Sequence, residues 1–307
     1  MKIVEPSVKL INFSDRIQQI GYAASICYAS NKQGSVEWLD NLWTSGHKSV
    51  FRHGTRYYVI PSYYYNQSII DSWRFNPYCG FYYSQETKLI FLSINEQYYI
   101  EHPYMKDFIA CEVNELNFIH EAKKIDDYDY NRALHLIRLT FEIVTQISTS
   151  RELNRVSPNN ICEQSTRYCN FSKDKFGNEI TICQPHWFDI LHGKDEIHIT
   201  KSDKVENYPI EIFDDKYLIN DFIVKYFTNL KNCENDYIEC VNNGIAPQDA
   251  RGLLPLDTAT KCIYTYRIEE WEHFLDLRFR GLTGKPHPNA KIIASKINDI
   301  IFEYLKV

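Results

Sequence analysis

The sequence predicts an α+β fold, and three observations carry that reading. Helical periodicity and β-favouring stretches alternate along the chain without a regular βαβ rhythm. A tyrosine-rich block from about 54 to 100 has strand character, while the flanking regions read as helices. Hydrophobic residues make up 44% and charged residues 24% of 307 residues, enough for a sizeable buried core and too apolar for a largely disordered chain.

Residues 15 to 45 read as helices, with Trp38, Leu39, Leu42 and Trp43 at helical spacing before a Ser45-Gly46 stop. TRYYVIPSYYY and KLIFLSINEQYYI read as β-favouring, their aromatics serving sheet packing rather than base stacking. Residues 104 to 137 read as helical, 138 to 147 as a strand, and 187 to 210 as polar and irregular. Helices are expected near 215 to 243, 258 to 279 and 287 to 305. No repeat, low-complexity tract or linker divides the chain.

The formal charge of −6 argues against a broad nucleic-acid surface, so an anionic ligand needs a local arginine cluster. No apolar run approaches the roughly 18 to 20 residues of a membrane span, and the start has no signal-peptide core. Nine cysteines without a CxxC pair suit reduced thiols, and the expectation is a cytoplasmic protein. Cys183, His186, His192 and His198 superficially resemble metal-ligand spacing, but no second close pair completes a site, and no metal is expected. GxGxxG and GxxxxGK[ST] are both absent from the sequence.

The densest polar stretch is STSRELNRVSPNNICEQSTRYCN, Ser148 to Asn170. Ser165-Thr166-Arg167 offers two hydroxyls, backbone N–H groups and a guanidinium fork, all suited to phosphate. Glu152 and Glu163 can accept hydrogen bonds from a base or ribose. Pro158-Asn159-Asn160 breaks regular structure, which predicts that the chain reverses and brings both polar halves together. A solvated loop with incidental ion pairs is the plainer alternative from composition alone.

Three blocks in register resemble the flavin-dependent thymidylate synthase family. Arg155-Val156-Ser157, seven residues, then Ser165-Thr166-Arg167-Tyr168 is similar to its Arg-His-Arg, seven residues, Ser-x-Arg-Tyr signature. SGHKSVFRH (45 to 53) resembles its Gly-His-x-Ser-Val-x-x-His block, and ARGLLP (250 to 255) with EEWEHFLDLR (269 to 278) its C-terminal pattern. The resemblance implies one domain, 1 to 307, with a mixed sheet, flanking helices and an insertion at about 59 to 135. It departs at Val156 and Ser157, which replace a histidine and an arginine of the flavin motif, and Arg52, Arg56, Arg151 or Arg267 are candidates to compensate.

By the same resemblance, His53, Arg155, Glu163, Arg267 and His273 hold FAD, with Cys27 in the same pocket and His135 as an alternative to His53. Glu152, Glu163, Ser165, Thr166, Arg167, Arg251 and Arg278 contact dUMP, and Arg278 stabilises negative charge on the ring. The implied reaction passes one carbon from methylenetetrahydrofolate to C5 of dUMP, with NADPH reducing the flavin, in a homotetramer whose sites lie between subunits. A C5 hydroxymethylase, a methylase of UMP or a cytidine nucleotide, and a non-catalytic nucleotide-binding paralogue are the alternatives. The spacing of Arg267, Trp271, Phe274 and Arg278 reads as one helix face. Arg280 falls off that face and is expected to point to solvent or a neighbouring subunit.

Overall fold

The computed structural model describes all residues except 31–34, 65, 126, 157–159, 201, 213–219 and 307. The chain opens with strands β1 (Lys2–Val4) and β2 (Ser7–Ile11), followed by helices α1 (Arg16–Ile26) and α2 (Val36–Thr44). Asp15 and Ser35 cap these helices by accepting backbone N–H bonds, as short polar N-caps do. Helix α2 ends where expected, at Ser45 and the left-handed Gly46 (φ 87°). A 3-10 segment, Lys48–His53, leads into β3 (Thr55–Pro61).

The tyrosine-rich block contains strands but is not all strand. After β3 come α3 (Gln67–Arg74), β4 (Cys79–Tyr83), β5 (Leu89–Asn95) and α4 (Glu96–Glu101). The EQYYI end of the expected strand is therefore helical. Asn95 causes the switch: its side chain accepts the Tyr98 N–H at 2.8 Å and starts a helix. A 3-10 segment (Pro103–Cys111), β6 (Glu112–Val113), α5 (Glu115–Ala122) and α6 (Asp127–Leu134) complete this region. Its strands form an antiparallel sheet in the order β4-β5-β3-β6.

The central strand β7 (Arg138–Gln146) runs into α7 (Ile147–Leu153), and β8 (Ile161–Glu163) follows. Short strands β9 (Thr181–Cys183), β10 (Phe188–Asp189), β11 (Glu196–His198) and β12 (Glu211–Ile212) punctuate the polar region. Helix α8 (Asn220–Asn242) and the short α9 (Pro247–Ala250) precede β13 (Ala259–Arg267), α10 (Ile268–Leu275) and α11 (Pro288–Leu305). The expected helix over 258 to 279 is thus a strand for its first half. ATKCIYTYR has period two, with Cys262, Tyr264 and Tyr266 in one core cluster and Ile263 in another.

The sheet that organises the molecule has the order β2-β7-β13-β8. Strands β7 and β13 pair antiparallel over their full length, from Arg138↔Arg267 to Gln146↔Ala259. Both faces are covered. Leu139, Phe141 and Ile143 pack with Trp271 and Phe274 of α10 and Ile293 of α11. The alternate residues Thr140 and Glu142 meet α1 through Gln19 and Tyr22. On β13, Ile263 packs with Ile20 of α1 and Phe51, and Thr265 bonds to His53.

Candidate functional site

The two halves of the polar stretch do come together. Ser150 on α7 donates its hydroxyl to Glu163 Oε1 at 2.7 Å, Thr260 on β13 donates to the same oxygen at 3.0 Å, and Asn154 Nδ2 donates to Oε2 at 3.4 Å. Tyr264 in turn donates to Asn154 Oδ1 at 2.5 Å. Glu163 is placed by β8, whose pairing with β13 sets Glu163 opposite Cys262. Ser150, Asn154 and Thr260 were not singled out from sequence. Thr260 lies in the segment whose spacing suggests a helix and which is a strand, so the sequence carries no signal for its proximity to Glu163.

After Glu163 the chain turns over the end of α1. Ser165 N–H donates to the Cys27 carbonyl at 3.1 Å, and Arg167 N–H donates to Ser165 Oγ at 3.2 Å. Arg251 Nη1 reaches Thr166 Oγ1 at 3.4 Å. The Arg167 guanidinium lies 5.4 Å from the Tyr168 ring centre, and Tyr168 packs against Tyr28. Cys27 is half-buried, and a hydrogen bond from the buried Cys162 thiol holds its pKa below the usual thiol value. Arg155 is 72% exposed and pairs loosely with Glu152 at 3.8 Å. The expected residues thus form two recorded groups, Glu152 with Arg155 around the end of α7 and Ser165, Thr166, Arg167 and Arg251 around the turn that follows Glu163.

Arg278 lies on a different element, within a π-helical turn, Asp276–Arg280, that ends at the left-handed Gly281. Such turns shift helix phase, and Arg267 is the last residue of β13 and the N-cap of α10, so the expected four-residue face is not one continuous α-helical stripe. Trp271 and Phe274 are core residues, as that face requires. Arg278 Nε is buried without a partner. Arg280, by contrast, is exposed and bound to Asp276 at 2.6 Å and Glu272 at 2.8 Å.

The residues expected to hold flavin lie on several elements. His53 is fully buried, its Nδ1 against Thr265 Oγ1 at 2.9 Å, and burial with the neighbouring Arg138 and Arg52 charges pulls its pKa to about 3. Arg267 is engaged with Glu270 at 2.8 Å, Glu269 at 3.2 Å and the Cys79 carbonyl. His273 is exposed, and His135 is half-buried at the end of α6. Arg56 pairs with Glu96 and Glu112, both at 2.7 Å. Val156 is 1% exposed, packed in the core beneath α10 and α11, and Ser157 lies outside the described residues. Thr260 and Arg267, seven residues apart on β13, are separated by about 23 Å. The expected flavin residues are thus spread along β13, with Glu163 opposite Cys262, His53 at Thr265 and Arg267 at its end.

Among the described residues Cys183, His186, His192 and His198 do not gather as ligands. His186 Nδ1 contacts Asn289 Oδ1 at 3.0 Å, His192 Nε2 the Pro209 carbonyl at 2.8 Å, and His198 Nδ1 Glu179 at 2.6 Å. His192 lies with Asp189 and Glu211, their ligand atoms within 4.8 Å of one another.

The described residues thus gather hydroxyls, carboxylates and arginines beside a strand–turn segment of an α+β fold. The sequence profile of the thymidylate synthase complementing protein family matches residues 110–303, and the chain belongs to that family. A flavin-dependent thymidylate synthase from Synechocystis sp. is 34% identical over 61 residues, 20% of this chain and 28% of that protein, so the chain spans just over a quarter of that relative's length. Two crystal structures of the UMP/dUMP methylase PolB from Streptomyces cacaoi are also similar. The one bound with 5-Br dUMP has a TM-score of 0.41 and 17% identity, covering 58% of this chain and 76% of that one. The one bound with 5-Br UMP has a TM-score of 0.44 and 15% identity, covering 98% and 91%. Among the described residues no helix is long and apolar enough to cross a membrane.

Proposed function

We propose that the protein is an FAD-dependent enzyme that passes a one-carbon unit from methylenetetrahydrofolate to C5 of dUMP, giving dTMP. The observation that carries this reading is the cluster around Glu163, in a chain of this family. In the proposed site Ser165, Thr166, Arg167 and Arg251 hold the phosphate by charge-assisted and hydroxyl bonds. Glu163 and Glu152 accept from the ribose or base, and the Ser150 and Thr260 hydroxyls keep Glu163 in place. Arg278, with a donor left unpaired, stabilises negative charge on the pyrimidine as C5 becomes nucleophilic. Bound FAD, reduced by NADPH, supplies the hydride that completes the methyl group.

Because the expected flavin residues are spread along β13, we propose a homotetramer in which a second copy completes each site, with Arg155 and His273 as the accessible flavin contacts of this chain. We further propose one domain, 1 to 307, with residues of about 59 to 135 as an insertion. The burial of Val156 favours a second reading, a diverged C5 methylase or hydroxymethylase acting on UMP or a cytidine nucleotide.

The deciding experiment incubates the purified protein with FAD, NADPH, methylenetetrahydrofolate and dUMP, recording the visible spectrum and the product mass. Bound flavin and a nucleotide heavier by one methylene are expected. A product carrying an extra oxygen, or turnover of UMP instead, moves the assignment to the second reading. A colourless protein that binds dUMP and turns nothing over ends the enzyme reading in favour of a binding paralogue.

A further inference from the structure

We propose that Cys27 and Cys162 form a peroxide-reactive pair, in which hydrogen peroxide or a small organic hydroperoxide oxidises Cys27 and Cys162 then closes a reversible disulfide with it. The two thiols come from different elements. Cys27 caps the C-terminal end of α1, and Cys162 is the middle residue of β8. Cys162 lies opposite Ile263 of β13, and cross-strand partners project to one face of a sheet. That face is the one α1 covers, because Cys162 and Ile263 pack with Ile20, Ala23 and Ala24, and Cys27 packs against the same cluster. The chemistry does not draw on the proposed nucleotide reaction.

The Cys162 thiol donates a hydrogen bond to the Cys27 sulfur. Sulfurs in that contact meet the first requirement of a disulfide, side chains that point at each other rather than apart. Exposure and charge divide the roles. Cys27 is half-buried and Cys162 is 4% exposed, so a small oxidant meets Cys27 first. The hydrogen bond from Cys162, then the backbone N–H groups of Glu163 and of Cys27 itself, favour the Cys27 thiolate. Its pKa lies below the ordinary thiol value despite burial and the Glu163 carboxylate. Every other cysteine whose pKa departs from that value is moved up. The thiolate is the reactive form, which marks Cys27 as the site of attack and Cys162 as its resolving partner.

In the first step the Cys27 sulfur attacks one peroxide oxygen and the O–O bond breaks. The departing hydroxide takes up a proton to become water, and Cys27 is left as a sulfenic acid. In the second step the Cys162 sulfur attacks Cys27 Sγ, the S–O bond breaks and the S–S bond forms. The hydroxyl leaves as water with the Cys162 proton. The two thiols give up two electrons, and hydrogen peroxide, reduced to two waters, takes them. Thiol reductants reverse the bridge by exchange. The bridge ties the end of α1 to β8 one residue before Glu163, beside the Ser165 N–H that the Cys27 carbonyl accepts at 3.1 Å.

The test treats the reduced full chain with hydrogen peroxide, blocks the remaining thiols with N-ethylmaleimide and maps tryptic peptides by mass spectrometry. Cys27 and Cys162 are each the single cysteine of their peptides, 17–32 and 156–167. The expected product is these two peptides linked, lighter by two hydrogens than their sum and separated by dithiothreitol, formed in preference to any other disulfide. In the reduced protein at pH 7, iodoacetamide should label Cys27 faster than the half-buried Cys111 and Cys233 by about threefold or more. Cys162→Ala should leave Cys27 as a sulfenic acid that dimedone captures, and Cys27→Ser should abolish the two-hydrogen loss at the same peroxide dose. If Cys162→Ala does not fold, the peptide map of the unaltered chain and Cys27→Ser decide. Bridges between other cysteines instead, oxidation that leaves Cys27 and Cys162 as thiols, or a two-hydrogen loss that survives Cys27→Ser overturns the proposal.

Discussion

Ser150 Oγ donates to Glu163 Oε1 at 2.7 Å, joining helix α7 to strand β8 across residues 157–159. Thr260 reaches the same oxygen at 3.0 Å and Asn154 the other at 3.4 Å. Glu163 therefore meets three donors, two from α7 and its C-cap and one from strand β13. Replacing it by Gln turns one acceptor into a donor facing donors already in place. We expect Glu163→Gln to destabilise the fold by about 1–3 kcal/mol and to weaken dUMP binding. Urea denaturation and calorimetry check the two effects. An unchanged midpoint would show that the network does not hold the carboxylate.

Arg278 and Arg280 should separate cleanly. Arg280 is exposed and already pairs with Glu272 and Asp276, and such pairs contribute about 0–1 kcal/mol. Arg278 has a buried Nε with no hydrogen-bond partner among the described residues. Arg278→Lys keeps the charge and loses the planar fork. It should cut dUMP affinity or turnover at least tenfold, about 1.4 kcal/mol, with little change in melting temperature. Arg280→Lys should be nearly silent in both. The reverse pattern would detach Arg278 from the nucleotide.

Much of this arrangement is legible in the sequence where local signals are strong. The Ser45-Gly46 stop, the β7 strand and the closing helix α11 follow from composition and period, and the polar stretch around Glu163 declares itself by density. Strand β13 is different. Arg267, Trp271, Phe274 and Arg278 match helical spacing, and that match hides the period-two alternation ending at Arg267. The π turn at Asp276–Arg280 then changes the phase without any sequence mark. Val156 illustrates the limit of motif reading, because it occupies a flavin-motif position yet packs in the core, with its carbonyl 3.4 Å from the Tyr266 hydroxyl. His53 is similar: its block only resembles the family's, and tertiary packing alone reveals that Thr265 and Arg138 lie against it.

That enclosure has a pH signature. Burial, then Arg138, then Arg52 lower the His53 pKa from 6.5 to about 3. In the folded protein the imidazole is neutral across this interval, whereas the unfolded chain takes up a proton below about 6.5. The stabilising difference is therefore complete above the unfolded value and is lost as pH falls from about 6.5 toward 3. At pH 5 the loss from this one group is about 2 kcal/mol. His53→Gln keeps a polar partner for Thr265 and cannot titrate, so its stability should fall less between pH 7 and pH 5 than that of the wild type. Urea denaturation of both proteins at the two pH values measures the difference, with the carboxylates common to both cancelling. Equal slopes would mean that His53 is charged or solvated in the fold, and that the cations Arg138 and Arg52 do not act on it.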